Sequence, residues 1–361
     1  MKNDLAESIL KSIMSDWQLD RLKDELTDIQ TISEIKYDDY QQYTHGMRYV
    51  ESLALWLRQF DKPQERECMY NFIKDNLIFI SEEEMRQLIE YSYPIIMKHY
   101  IMNRTKEYCN RERIFDKEKR RQIYSLVRRK SLFLGLSDGA HIDFFRRQNP
   151  GLSNEQVFVH YDFSDDKAKE MLDELRQELG QEMGFDKFFL VDDFSGSGYS
   201  YIRKDTEGWH GKIHKFYKRL CEVGYHVKGI DIHLVLYLST AKSLEYMRKK
   251  VMEYFADKEV SITIDAIQLV NPYDMDQNVN LKRILAENYN KMKATGKKSF
   301  VDKHFEIGRG KEPYLGFSDC SLPLVIYHNT PNNSFPVLWY SWEDEVNPLF
   351  PRVTRHKESL V

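Results

Sequence analysis

The sequence predicts an α/β fold with a parallel-sheet core, an α-helical N-terminal region and a C-terminal extension. Three observations predict it. Five short apolar runs, SLFLGL, QVFVHY, FFLVDD, IDIHLVLYL and VSITIDAIQLV, follow one another from residue 131 onward, several rich in β-branched or aromatic residues. Buried parallel strands read as such near-continuous runs. Segments of helical period lie between them, and alternation of the two periods is the mark of an α/β sheet. The residues before them read as helices throughout. The expected divisions are 1–127 for the helical region, 128–275 for the core and 276–361 for the extension.

Taken in order, HGMRYVESLALWLRQF places Met47, Val50, Leu53, Ala54, Leu57 and Phe60 along one helical face. SEEEMRQLIEYS opens with Ser81 and has Glu84 three residues on, a capping box ahead of Met85, Leu88 and Ile89. This region has no phosphate loop and no metal spacing, so it reads as a packing domain. In the core, SDDKAKEMLDELRQELG carries Ala168, Met171, Leu172, Leu175 and Leu179 at helical spacing and stops at Gly180. TAKSLEYMRKKVMEYF repeats the pattern with Leu244, Met247, Val251 and Phe255. The expected linkers are NPYDMDQNVN and KATGKKS.

The bulk numbers are those of a globular protein. The 361 residues carry 42% hydrophobic and 30% charged side chains, enough for one large domain or two medium ones. A formal net charge of −4 gives no global basic field for nucleic acid. The four cysteines, Cys68, Cys109, Cys221 and Cys320, are far apart and form no CxxC pair, as reduced thiols in a cytoplasm would be. The opening MKNDLAESILKSIMSDW lacks the apolar core of a signal peptide, and no run is long enough to span a bilayer. The expectation is a soluble, cytoplasmic protein without a membrane partner, with self-association left open.

One stretch carries chemistry: FFLVDDFSGSGYSYIRK, residues 188–204. An apolar strand ends in Asp192 and Asp193, at the end where ligands of open parallel sheets sit. Adjacent strand residues point to opposite faces, so the two carboxylates need not share a proton. Each is then an acceptor for a diol. Ser195, Gly196, Ser197 and Gly198 form a loop whose amides and hydroxyls suit an anion, and a helix is expected to follow and add its positive dipole end. Carboxylates for a ribose and amides for its phosphate make a consistent pair.

FFLVDDFSGSGYS resembles the PRPP-binding motif of type I phosphoribosyltransferases. The resemblance implies that Asp192 and Asp193 are the acidic pair and act in catalysis, and that Ser195, Gly196, Ser197, Gly198, Tyr199 and Ser200 cup the 5′-phosphate. Gly196 stands where a Thr is usual, and Tyr199 where a small residue or Lys is common. Upstream by one βα unit, SLFLGLSDGAHIDFFRR holds the turn Ser137-Asp138-Gly139, which the fold places against pyrophosphate. There Gly139 would allow an unusual backbone angle and Asp138 would reach Mg²⁺ through water, with no direct metal ligand. The DDFSGSG version, with QFDKPQERE upstream and HNTPNNSFPVLW downstream, is similar to a bacterial group of phosphoribosyltransferase-like proteins of phage-defence and other conflict cassettes, the PRTase-CE-like group, some linked to retron reverse transcriptases. This implies an effector acting at the anomeric carbon of PRPP or a nucleotide, by transfer or by N-glycosidic cleavage. The alternative is a catalytically silent sensor or structural subunit. Expected partners are the small molecule and a defence-cassette protein or retron RNA–DNA with its reverse transcriptase.

Other segments admit simpler roles. In the tail, His328 and Asn329 stand either as contacts to a base, under a hood over the sheet, or as parts of a turn. Trp339 and Trp342 read as core. In GWHGKIHKFYKRL, His210 and Lys212 are candidates for a phosphate, while Lys215, Lys218 and Arg219 read as a solvated face. His210 and His214 lack the Glu of a zinc motif. The segment 104–130 has eleven Lys/Arg against four Asp/Glu, an excess that fits either an acidic partner or a charged helix surface.

Overall fold

The computed structural model describes residues 3–44, 46–158, 164–223, 225, 229–294, 303–308, 310–341 and 346–353. The N-terminal region is helical as expected: α1 (Asn3–Ile13), α2 (Leu19–Ile35), α3 (Tyr49–Arg58) and α4 (Pro63–Asn76). The expected face of α3 is buried at Val50, Leu53, Ala54 and Leu57, while Met47 lies before the helix and is half-buried. A short strand that sequence reasoning missed, β1 (Ile78–Ile80), follows. Next comes α5 (Glu82–Tyr91), whose capping box is formed: Ser81 N–H donates to Glu84 Oε2 at 2.8 Å, and Glu84 N–H donates to Ser81 Oγ at 3.2 Å. A π-helical turn, Ser92–Met97, leads into α6 (Lys98–Arg111) and then α7 (Lys117–Arg129).

The core then alternates as the apolar runs predict. Its elements are β2 (Ser131–Gly135), α8 (Ile142–Gln148), β3 (Val157–Phe158), α9 (Asp165–Leu179), β4 (Lys187–Ser195), the hairpin β5 (Arg203–Asp205) and β6 (Gly208–His210), α10 (Lys212–Glu222), β7 (Ile230–Ser239), α11 (Ala241–Tyr254) and β8 (Val260–Leu269). All pairings in the five-stranded sheet are parallel, in the order β3-β2-β4-β7-β8. The later residues of QVFVHY, Val159 to Tyr161, lie outside the described residues.

Both faces of this sheet are covered, which is why its strands read as unbroken apolar runs. Alternation sets the two faces. Leu132, Leu134, Phe188, Leu190, Ile232 and Leu234 share one face and pack with Ala168, Met171 and Leu175 of α9, Ile213 and Phe216 of α10, and Met247 of α11. On the other face Phe133 stacks on Phe189 at 5.0 Å, and Phe145 of α8 and Tyr100 of α6 close over them. Burying a ring such as Phe133, Phe188 or Phe189 contributes roughly 1.5–3 kcal/mol each.

The chain continues through α12 (Val279–Ala294), α13 (Lys303–Glu306), β9 (Leu324–Ile326) and α14 (Pro336–Trp339). It divides into two compact units: residues 1–84 with 271–361, and residues 85–270. The second break falls at the start of the expected linker NPYDMDQNVN; most of KATGKKS lies outside the described residues. The segment expected as an extension of the core thus shares its compact unit with the N-terminal helices. Strand β1 pairs in parallel with β9, Ile78 opposite Leu324, and the fully buried Trp56 donates its indole N–H to Val337 O at 2.7 Å.

Candidate functional site

In the order β3-β2-β4-β7-β8 the chain's direction of travel across the sheet reverses between β2 and β4. Open parallel sheets bind ligands at such a switch point, beyond the carboxyl ends of the strands. The two segments that leave β2 and β4 at that end are Ser137-Asp138-Gly139 and Ser195–Ser200, the two that sequence reasoning singled out.

The acidic pair splits between faces. Asp192 follows the register of Phe188 and Leu190 and is 0% exposed. Ser137 Oγ donates to its Oδ1, Tyr201 OH donates to Oδ2 at 2.6 Å, and Lys212 Nζ makes an ion pair with the same Oδ2. Burial pushes the Asp192 carboxyl up from its ordinary range. Lys212 opposes the rise, Asp193 adds to it, and the bonds from Lys212 and Ser137 also oppose it. The expectation that both carboxylates accept from a diol therefore needs correction at Asp192. Its oxygens are occupied by the protein's own donors, and it ties the β2 turn, the loop after β4 and α10 together. Ser137, expected to face a diphosphate, spends its hydroxyl on that tie.

Asp193 faces the other way and is half-buried. Its Oδ1 accepts from Phe194 N–H at 2.8 Å. Gly139 packs directly against this carboxylate: a Cβ on Gly139 would stand 2.7 Å from Asp193 Cγ. Gly139 does not have a positive φ, so the expected unusual backbone angle is corrected. Only a residue without a side chain lets the turn close on Asp193. The left-handed residue here is His141, with φ 43°. Asp138 is exposed at the tip of the turn.

The loop after β4 is braced from beneath. Ser195 Oγ and Ser243 Oγ are 2.7 Å apart, and Thr240 Oγ1 donates to Gly196 O at 2.8 Å while capping α11 through Ser243 N–H at 3.0 Å. Gly198 has φ +80°, and a Cβ there would come within 2.7 Å of Met247 and 2.8 Å of Tyr246. Tyr199 stacks on Tyr246 at 4.7 Å and 9°. Ser195, Gly196, Ser197 and Gly198 are buried, and Ser200 is exposed. Among the described residues, the N–H groups of Ser197, Gly198 and Ser200 find no acceptor in the protein. Ser197 and Gly198 are buried, where amides without partners are rare in folded proteins, and with the exposed Ser200 they form a set on a fixed loop that suits an anion.

The helix expected to follow this loop is not there. Tyr201 closes a turn and the β5–β6 hairpin intervenes, so α10 starts only at Lys212. Its first amides are already used: Lys212 N–H donates to Ser200 O at 3.0 Å and Ile213 N–H to Tyr201 O at 2.9 Å. Gly211, φ +113°, allows this approach, since a Cβ would sit 2.5 Å from Tyr201 C. The loop's own carbonyls thus hold the helix end that was expected to face a phosphate.

The remaining candidates have partners of their own. His210 Nε2 lies 3.0 Å from Asp205 Oδ1, and His214 Nδ1 lies 2.9 Å from Tyr254 OH. His328 and Asn329 belong to the other compact unit. There His328 O accepts from Gln42 Nε2 at 2.8 Å, and Asn329 Oδ1 accepts from Val353 N–H at 3.2 Å. Trp339 is buried and donates to Ser334 O at 3.0 Å, as a core role implies; Trp342 is outside the described residues. Sequence reasoning missed Tyr201, Thr240 and Ser243. A buried aspartate calls for donors, and Tyr201 with the glycine-preceded Lys212 was the available signal. Among the described residues no helix is long and apolar enough to cross a membrane.

A family model, PRTase-CE, matches residues 53–352, and the chain belongs to this phosphoribosyltransferase-like family. No curated protein and no solved structure gives a significant match.

Proposed function

Proceeding from membership of the PRTase-CE family, we propose that the loop pair at the switch point binds a 5-phosphoribosyl group, as PRPP or a nucleotide, and acts at its anomeric carbon. The observation that carries this reading is the set of unpartnered amides at Ser197, Gly198 and Ser200 on a loop held rigid from below. They take the 5′-phosphate. Asp193, the carboxylate of the pair left half-exposed, accepts from the ribose hydroxyls. Its negative charge favours the cationic character that develops when the bond from C1 to pyrophosphate or to a base breaks with its electron pair. Asp192 positions the site through Ser137, Tyr201 and Lys212 and does not touch the sugar.

Mg²⁺ fits this arrangement as a partner of the substrate. Among the described residues no group of three or more His, Cys, Asp or Glu would hold an ion by itself. Mg²⁺ typically binds through one or two carboxylates, waters and substrate phosphates. Asp138, exposed on the turn, would hold it through water, and the ion would neutralise a departing diphosphate.

The setting we propose is bacterial antiphage defence in the cytoplasm, on the likeness of DDFSGSG and HNTPNNSFPVLW to conflict-cassette proteins and on four free cysteines. A protein of the same cassette, or a retron reverse transcriptase with its RNA–DNA, is the partner that goes with it.

Calorimetric titration with PRPP tests the binding. The wild type is expected to bind saturably, and Asp193→Asn to weaken binding at least tenfold with an unchanged circular dichroism spectrum. Equal binding by the folded variant contradicts the assignment. A second reading, binding without turnover, is favoured by the enclosure of Asp192, which leaves one carboxylate where the family motif has two. Release of pyrophosphate or of a base from PRPP, NAD or nucleotides separates the two readings.

A further inference from the structure

A cleft of about 490 Å³ lies at the opposite end of the same sheet, and no residue of the loop pair lines it. Arg128 lies just before β2 begins, and Leu152 lies just before β3. Both strands run the same way, so the cleft opens at their amino ends, away from the switch point. Its cations are Lys98 and Arg128, and none of its lining residues is acidic. Among the described residues Lys98 makes no ion pair. Two cations without a carboxylate favour an anion. Tyr93 and Tyr124 add aromatic surface, and Gln148 and Asn149 add amides; the Asn149 amide nitrogen is spent on Phe145 O at 2.8 Å, which leaves its oxygen for a donor.

The cleft is built on fixed parts. Gln156, 2% exposed, donates to Arg128 O at 2.7 Å and Ser131 O at 2.9 Å, fastening the end of α7 to the start of β2. The Tyr93 ring lies 6.0 Å from Phe133 and 6.2 Å from Phe145. Tyr93 also belongs to the π-helical turn Ser92–Met97, a rare backbone state that is frequent at functional sites. The volume falls in the range of small-ligand sites.

We propose that this cleft is a second ligand site, taking a mononucleotide with its phosphate between Lys98 and Arg128 and its base against Tyr93 and Tyr124. Tyrosine rings stack any base, and the amides meet base edges. The proposal shares no residue with the loop pair, so it stands or falls independently of the phosphoribosyl reading.

Photolysis of the full-length protein with 8-azido-AMP, followed by peptide mapping, tests it. The label is expected on peptides holding residues 93–102 or 124–128, and AMP is expected to compete at least tenfold better than inorganic phosphate. Lys98→Glu is expected to lower this labelling at least fivefold with an unchanged circular dichroism spectrum. Met102→Glu, which puts a negative charge on another exposed lining position, is expected to lower it as well. Asp193→Asn should leave it unchanged. Absence of label from these peptides, label confined to residues 192–201, or labelling unmoved in both folded variants overturns the proposal. Equal competition by phosphate and AMP overturns the part played by the base.

Discussion

Asp192 and Asp193 are chemically identical neighbours with opposite tasks, and the pleat separates them. Asp192 turns into the layer between the sheet and α10, where Lys212, Tyr201 and Ser137 satisfy it. Removing its charge leaves the Lys212 ammonium, 25% exposed, without its partner. Asp192→Asn should therefore lower stability by about 3 kcal/mol, read as a lower denaturant midpoint. Asp193→Asn should change stability by less than about 1 kcal/mol. Gly139→Ala drives a methyl group into the Asp193 carboxylate, so it should weaken PRPP binding while the sheet still folds. A third aspartate contributes to acid sensitivity. A hydrogen bond with His233 Nε2 at 2.9 Å holds Asp265 below the usual carboxylate range, against the cost of burial and with help from Arg248. A depressed carboxyl gives stability that is present above its ordinary pKa, about 3.9, and lost as pH falls through the lowered value. Asp265→Asn should flatten the dependence of the unfolding midpoint on pH below about 4.

At the scale of elements, the loop after β4 owes its shape to α11. Thr240 caps that helix and grips Gly196 with the same hydroxyl, while Gly198 fits over Met247 only because it lacks a side chain. Gly198→Ala, at a positive φ and in a filled space, should cost roughly 1–3 kcal/mol and weaken phosphate binding with it. In the other compact unit, Ser81→Ala removes one half of the α5 capping box and should cost about 1 kcal/mol in thermal denaturation. The strands and helices of the core were legible because burial on both faces writes itself into SLFLGL and IDIHLVLYL as unbroken apolar runs. The pairing of the two segments was legible too: DDFSGSG and SDG each follow an apolar run, and the topology puts both at the switch point. What the sequence did not disclose depends on distant partners. Strand β1 is three residues between helices and exists through its pairing with Leu324–Ile326. Enclosure of Asp192 required knowing that Lys212 returns to it after a hairpin. That hairpin had its own signals, aromatic and β-branched residues ahead of Asp205 and Gly208, but the helical expectation after a phosphate loop overrode them. Asp205 Oδ1 accepts from Glu207 N–H at 2.9 Å, the side-chain turn that such a sequence favours.

At the scale of the whole molecule, the chain leaves one compact unit at residue 84 and returns to it at 271. Residues 1–84 and 271–361 share that unit's buried bonds, including Trp56 to Val337 and Ser52 Oγ to Leu349 O at 2.7 Å. Ending the chain at Val270 should abolish amide exchange protection in α3 and β1, while β4 and β7 keep theirs. The 85–270 unit holds both loops of the phosphoribosyl reading, together with the Ser195–Ser243 and Asp192–Lys212 contacts that brace them. The most direct measurement follows the amide resonances of Ser197, Gly198 and Ser200 while ribose 5-phosphate is added. Saturable downfield shifts of all three, larger than those of neighbouring strand amides, are the predicted result. Amides that stay in place at saturating ligand would contradict the account.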